Sequence, residues 1–231
     1  LEVINPTDLE ANYFSGVLYS LPDQKDTSRN SGFSMRKDIV DELGITVPEV
    51  GTWDDMHDIL VQVHEAYPDM YPVVSTWAGG GYQETLPIDP LDDSLGVLEN
   101  IIESDSTEVV SLHATDSYRE YCERMYQWNK EGLIMPDITT STENNLLAGN
   151  GFAMIENWKP GKEYENYKST GKEVVFMKLH EDNIKYTGCA NGNSFIIPWS
   201  SENPEKAMML WNLMYTNPEV SNLFINGIQG K

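Results

Sequence analysis

Apolar positions along the chain switch between a period near 3.6 and short continuous runs, with turn residues at the changes, a pattern of alternating helices and strands. Segment 13–22 reads as a hairpin-like strand with a glycine turn, carrying Tyr13, Phe14, Val17, Leu18, Tyr19 and Leu21 around Gly16 and ahead of Pro22. The polar stretch 23–30 reads as a surface or cleft loop, 32–35 as a short strand, and 36–43 as a helix stopped by Gly44. Thr52 with Asp55 forms a capping box, and the helix it opens carries Trp53, Met56, Leu60, Val63 and Tyr67 on one face before Pro68 closes it. Residues 71–74 read as a buried strand running into Trp77 and three glycines, 79–81, and 95–102 as a short helix.

Ser117 with Glu120 marks the next helix start, with Tyr118, Tyr121, Cys122, Met125 and Trp128 as its buried stripe and Gly132 as its stop. Leu146 and Leu147 fall on a short helix that leads through Gly149 and Gly151 into a strand at 152–155. Further strands are expected at 174–177 and 194–197. Asn203-Pro204 and Asn217-Pro218 each start a helix, the first burying Ala207, Met208, Leu210, Trp211 and Met214, the second Val220, Leu223 and Phe224. The expected class is α/β, without internal repeats or low-complexity tracts.

Composition narrows the partners. The 231 residues carry 37 Asp plus Glu against 15 Lys plus Arg, a formal charge of −22, and the few basic residues are scattered. Such a chain repels phosphate backbones and anionic lipid, so no nucleic acid is expected as a partner. With 40 % hydrophobic residues, 6 Trp and 12 Tyr, it can fill a sizeable core as one large or two small domains. No apolar run reaches the roughly 18 residues of a membrane helix. The chain begins at Leu1 without the features of a secretory signal, and it reads as an interior piece of a longer protein. Cys122 and Cys189 lack metal-binding spacing and read as free thiols without a role.

Catalytic patterns do not assemble. The neighbouring carboxylates Asp54 and Asp55, or Asp92 and Asp93, read as solvated surface in so acidic a chain. His57 and His64 lie two helical turns apart, about 10 Å, too far to share a metal, and His64 lacks the rest of a zinc-helix motif. The glycines at 79–81 lack the Lys and Ser or Thr of a phosphate loop, and Ser34 lacks a nucleophile elbow. Catalytic residues, metal and cofactor are all expected to be none.

What stands out is aromatic and amide residues where strands end. Trp77 follows the strand at 71–74, and Trp158 follows the strand at 152–155, preceded by Glu156 and Asn157. In open α/β sheets, ligands bind beyond the carboxyl ends of strands. Flat rings beside amides and carboxylates suit a sugar, whose apolar face stacks while its hydroxyls take directed hydrogen bonds. The alternative for both tryptophans is core packing, and that is the expected role of Trp53, Trp128, Trp199 and Trp211.

Several segments together resemble extracellular solute-binding proteins of ABC sugar importers, family 1, the group similar to maltose-binding protein. They are the glycine-turn hairpin at 16–22, "RKDIVDELGI", "TWDDM", "YREYCERMYQWNKEGLIMPD", "LLAGNGFAMIENWKPG" and "FIIPWSSENPEKAMMLWNLMYTNPEV". "NLFINGIQGK" is similar to the large Gram-positive lipoprotein branch. The resemblance runs with gaps from about residue 16 to the end. It implies a periplasmic-binding-protein-like (type II) two-lobed α/β fold, here mostly one lobe plus part of the other. Residues 1–30 would be the end of a first-lobe segment with the outgoing hinge, 31–185 the second lobe, and 186–231 the return crossing.

The resemblance further implies a non-catalytic, monomeric capture subunit that binds an oligosaccharide between two lobes and delivers it to ABC transporter permease subunits. It would sit outside a Gram-positive cell, anchored through a lipoprotein N-terminus beyond this chain. The residues expected at the ligand are Trp158, Asn157, Glu156, Trp77, Asp26, Arg29 and Asn191. Two other readings stay open: a binding protein for peptides or another polar solute, and a glycoside hydrolase or lyase using two carboxylates about 5–10 Å apart.

Overall fold

Capping residues and turn glycines delimit the elements of the computed structural model, which describes residues 3–23, 30–74, 85–91, 95–140, 149–188 and 193–228. In chain order these elements are α1 (Pro6–Glu10), β1 (Tyr13–Phe14), β2 (Val17–Leu18), β3 (Leu21–Pro22), β4 (Asn30–Arg36), α2 (Lys37–Leu43), α3 (Trp53–Ala66), β5 (Tyr71–Val73), β6 (Gly96–Val97) and β7 (Val110–Ser111). There follow a 3-10 turn (Leu112–Ala114), α4 (Asp116–Lys130), β8 (Gly151–Trp158), α5 (Lys162–Thr170), β9 (Val174–Lys178), β10 (Ser194–Phe195), α6 (Pro204–Thr216) and α7 (Pro218–Asn226). The chain divides into two units, Ser28–Tyr186 and the combined ends Leu1–Thr27 and Thr187–Lys231.

The larger unit is built on a four-stranded sheet in the order β5-β8-β4-β9. All seven residues of β4 are buried, and it pairs antiparallel with β8 on one side and β9 on the other, while β5 runs parallel to β8. Period-2 alternation puts Phe33, Met35, Ala153 and Met177 on one face, where they pack with Met56, Leu60, Val63 and Trp128 of α3 and α4. Fully burying a Phe or Met of this kind contributes about 1.5–3 kcal/mol. Trp53 and Trp128 join this core, with ring centroids 5.5 and 6.2 Å from Phe33.

Helix α3 starts on the expected reciprocal cap, Thr52 Oγ1 accepting from the Asp55 amide at 3.1 Å and Asp55 Oδ2 from the Thr52 amide at 2.7 Å. Helix α2 ends at Gly44 in the left-handed conformation, φ 66°. Here Arg36 donates to both Asp38 oxygens and, at 2.8 Å, to the Gly149 carbonyl, and its guanidinium holds the Asp38 carboxyl below the usual carboxylate range.

Four local expectations are corrected. The segment at 95–102 is not a helix: Gly96–Val97 pairs with Val110–Ser111, Leu98 bridges Asp89, and Asn100 takes a left-handed turn at φ 55°. The N-cap of α4 is Thr115, two residues before Ser117, its Oγ1 accepting from the Tyr118 amide at 3.3 Å. Its Cys122 is exposed and Trp128 is its one buried residue, while the rest of the expected stripe is half-buried, Tyr118 and Tyr121 against Leu86, Ile88, Val97 and Leu112 and Met125 against the main core. The expected strand at 152–155 extends to Trp158, and α5, polar in sequence, was not anticipated.

In the other unit β1 and β2 form the expected hairpin, turning through Ser15 and Gly16 at φ 50° and 77°, and β3 pairs antiparallel with β10. Helix α7 is capped as expected, Asn217 Oδ1 accepting from the amides of Glu219 and Val220 at 3.0 and 3.2 Å, whereas Asn203 makes no side-chain cap on α6. The inner faces expected for these helices are not buried: neither holds a buried residue, and Met208, Leu210, Leu223 and Phe224 are exposed. A groove of about 740 Å³ is lined by apolar residues including Leu18, Leu21, Phe195, Trp211 and Leu213. Trp211 packs edge-on to Phe195, but Trp199, expected in a core, is 99 % exposed.

Candidate functional site

The carboxyl end of β8 carries Glu156, Asn157 and Trp158 as strand residues rather than as a following loop. Their register is fixed by β4, with Gly32 opposite Glu156, Ser31 opposite Asn157 and Asn30 opposite Trp158. Asn30 anchors this edge of the sheet: it is 1 % exposed, and its Nδ2 donates to the carbonyl of His180 at 2.8 Å. The alternation of the strand then gives the three neighbours three environments.

Glu156 turns toward α5, and its side chain is 13 % exposed. Its carboxylate accepts from the Ser34 hydroxyl, from Asn166 Nδ2 at 2.5 Å and from Lys162 Nζ at 2.8 Å. Asn166 Nδ2 also lies 3.1 Å from Ser34 Oγ, and both residues are buried. A carboxylate so surrounded ties the first turn of α5 to β4 and β8. Asn157, on the opposite face, is exposed; its Oδ1 accepts from Ser31 Oγ at 3.2 Å, and its amide N–H₂ has no partner among the described residues.

Trp158 is half-buried, and its indole N–H has no hydrogen-bond partner among the described residues. One face of its ring is occupied from within the unit: Lys178 Nζ lies 5.1 Å from the ring centroid, within cation–π range. The same ammonium is 2.9 Å from Glu49 Oε1 and holds that carboxyl below its usual range, first by the hydrogen bond and then by charge. Lys178 was not anticipated; the only sign of it in the sequence is that it follows the apolar run at 174–177.

Four expected site residues, Trp77, Asp26, Arg29 and Asn191, lie outside the described residues, as do Cys189, Asp92, Asp93, Leu146 and Leu147. Other titratable groups serve the scaffold. His57 Nε2 is 2.7 Å from Glu131 Oε2, and its ring stacks on Trp128, joining α3 to the end of α4. Asp54 pairs with Arg124 at 2.7 Å, and Asp55 is the α3 cap. His180 Nε2 is 3.0 Å from the Thr85 carbonyl. Among the described residues no group of three His, Cys, Asp or Glu is placed to hold a metal ion, and no helix is long and apolar enough to cross a membrane.

Comparison with known proteins gives the scaffold its kin. The chain is 25 % identical over 237 residues to a carbohydrate ABC transporter substrate-binding protein of Streptococcus pneumoniae serotype 4, covering all of this chain and 47 % of that protein. Its fold matches the crystal structure of an N-glycan transport solute-binding protein, NgtS, of Streptococcus pneumoniae with a TM-score of 0.83 at 22 % identity, over 100 % of this chain and 52 % of that one. An alginate-binding protein, AlgQ2, matches with a TM-score of 0.67 at 16 % identity, over 97 % of this chain and 48 % of that one. The chain thus spans about half the length of the relatives it matches. The profile of one family covers residues 4–229, and the chain therefore belongs to the bacterial extracellular solute-binding proteins.

Proposed function

We propose that this chain is part of the substrate-capture component of a bacterial ABC importer and that it binds an oligosaccharide without turning it over. The carrying observation is the half-buried indole of Trp158 on the last residue of β8, its N–H without a partner among the described residues; the open amide of Asn157 stands at the same strand end on the other face. The ring offers an apolar surface to a sugar, and its N–H suits a hydroxyl. Carbohydrate is favoured because the Streptococcus pneumoniae relative is named a carbohydrate transporter component and NgtS has been crystallised with Man1GlcNAc and Man5GlcNAc.

Trp77, Asp26, Arg29 and Asn191 complete the proposed ligand set, while Glu156 serves the strand end. Capture without catalysis is supported by the relatives, which are named as a substrate-binding and a solute-binding protein. The unit Ser28–Tyr186 acts as one lobe, and the other unit belongs to the lobe that supplies the hinge and return crossing. The full-length protein works as a monomer outside the cell, held by a lipoprotein anchor, and hands its ligand to the permease subunits.

Titration calorimetry of the full-length protein with mannose–GlcNAc oligosaccharides tests the reading. Wild type binds with release of heat and frees no new reducing ends, and Trp158→Ala weakens binding at least tenfold. Undiminished binding by that variant removes Trp158 from the site; peptide binding without glycan binding replaces the ligand class.

A further inference from the structure

The covered face of Trp158 carries an inference beyond its contact with ligand, resting on the reading that its ring stacks on sugar. Lys178 belongs to β9, two strands away from β8, and its side chain must cross β4 to reach the ring. The β4 residue between them is Gly32, which pairs with Lys178 on one side and Glu156 on the other. A Cβ at position 32 would lie 1.9 Å from the Met177 carbonyl oxygen and 2.9 Å from Phe176 Cε1, so β4 carries no side chain of its own at this point.

The ammonium is held from two directions. Lys178 donates its backbone N–H to the Glu49 carbonyl at 2.9 Å and accepts from the Gly51 amide at 2.9 Å, which pins the segment 49–51 beside β9. Glu49 Oε1 then meets Nζ at 2.9 Å, while the ring centroid is 5.1 Å away. The Lys178 side chain is only 14 % exposed, so its methylenes are packed. A lysine fixed by its backbone, stem and head group restricts the ring it covers.

We infer that Lys178 is a positioning residue: with Glu49 it clamps one face of Trp158, holds the indole in a single orientation, and leaves the opposite face for the sugar. An exposed aromatic must otherwise lose rotamer freedom when ligand orders it, and a ring ordered beforehand avoids that loss. Loss of the clamp lowers sugar affinity about three- to tenfold, the scale of freezing one side chain. Arginine, which can also cover an indole and meet Glu49, restores most of it.

The test uses the full-length protein labelled with 5-fluorotryptophan, read by fluorine NMR and by calorimetry with a mannose–GlcNAc oligosaccharide. The Trp158 line is identified by its disappearance in Trp158→Phe. Lys178→Met is expected to shift and broaden that line alone, leave the other tryptophan lines in place and weaken sugar binding three- to tenfold; Lys178→Arg is expected to return both toward wild type. Wild-type affinity and an unmoved line in Lys178→Met, in a protein whose Trp158→Ala variant has lost binding, overturn the clamp and leave the functional reading standing. Wild-type affinity in Trp158→Ala overturns the functional reading and the clamp's role in binding with it.

Discussion

Replacing Glu156 by alanine separates a strand anchor from a ligand contact. In the folded protein its carboxylate satisfies Asn166 and Ser34, both buried, and the ammonium of Lys162, whose side chain is 19 % exposed. After truncation the Asn166 amide keeps Ser34 Oγ at 3.1 Å, but the Ser34 hydroxyl loses this acceptor and Lys162 keeps only the Glu165 carboxylate, 3.9 Å away. Leaving the buried Ser34 hydroxyl without this acceptor and weakening a partly buried ion pair costs about 2–3 kcal/mol. In a domain of this size that lowers the unfolding temperature by roughly 4–12 °C. Glutamine, which keeps the shape and one acceptor, costs less, about 1–2 kcal/mol. Thermal unfolding followed by circular dichroism reads the stability, and calorimetry with oligosaccharide well below the lower melting point reads the site. The expected result is a large loss of stability with affinity within about threefold of wild type. Wild-type unfolding with binding abolished would refute the anchor and return Glu156 to the ligand.

Gly32→Ala drives a Cβ to 1.9 Å from the Met177 carbonyl oxygen, and β4 lies between two paired strands, so thermal melts should show a loss of about 3–5 kcal/mol; an unchanged melt would contradict the register of β4 against β9. Asp38, held low by Arg36, contributes stability that is complete above its unfolded value of about 3.9 and disappears as pH falls through the depressed folded value. Asp38→Asn should therefore flatten the acid limb of unfolding profiles between pH 6 and pH 2, and an unaltered limb would mean that the pair does not form. Trp199→Ala, at a side chain 99 % exposed, should change stability by less than about 0.5 kcal/mol in denaturant titrations; a larger drop would show that Trp199 is covered in solution.

The local grammar of the chain was largely legible. Thr52 with Asp55, Gly44, the turn at Ser15 and Gly16, and Asn217-Pro218 act through bonds and dihedral angles within four residues, so their chemistry is complete in the sequence itself. The segment at 95–102 was misread because Gly96 and Val97 take their conformation from Val110 and Ser111 on another strand. Helix α5 was missed because it buries only Asn166 and Thr170, polar residues that leave no apolar stripe.

The candidate site divides along the same line. The sequence by itself determined a buried strand over 152–155 with an aromatic ring just beyond it, because a short apolar run is a local property; pairing with β4 carried the strand on through Glu156 and Asn157 to Trp158. Only the tertiary structure decided what each side chain does there. It brought Ser34 from β4, Lys162 and Asn166 from α5, and Lys178 from β9 to meet them. Alternation divides residues between two faces of a sheet, but it does not name the residue from a distant strand or helix that fills the facing space. A carboxylate expected at a ligand is engaged by Ser34, Asn166 and Lys162, and a lysine unremarked in the sequence came to lie on the one tryptophan that the proposed site most depends on.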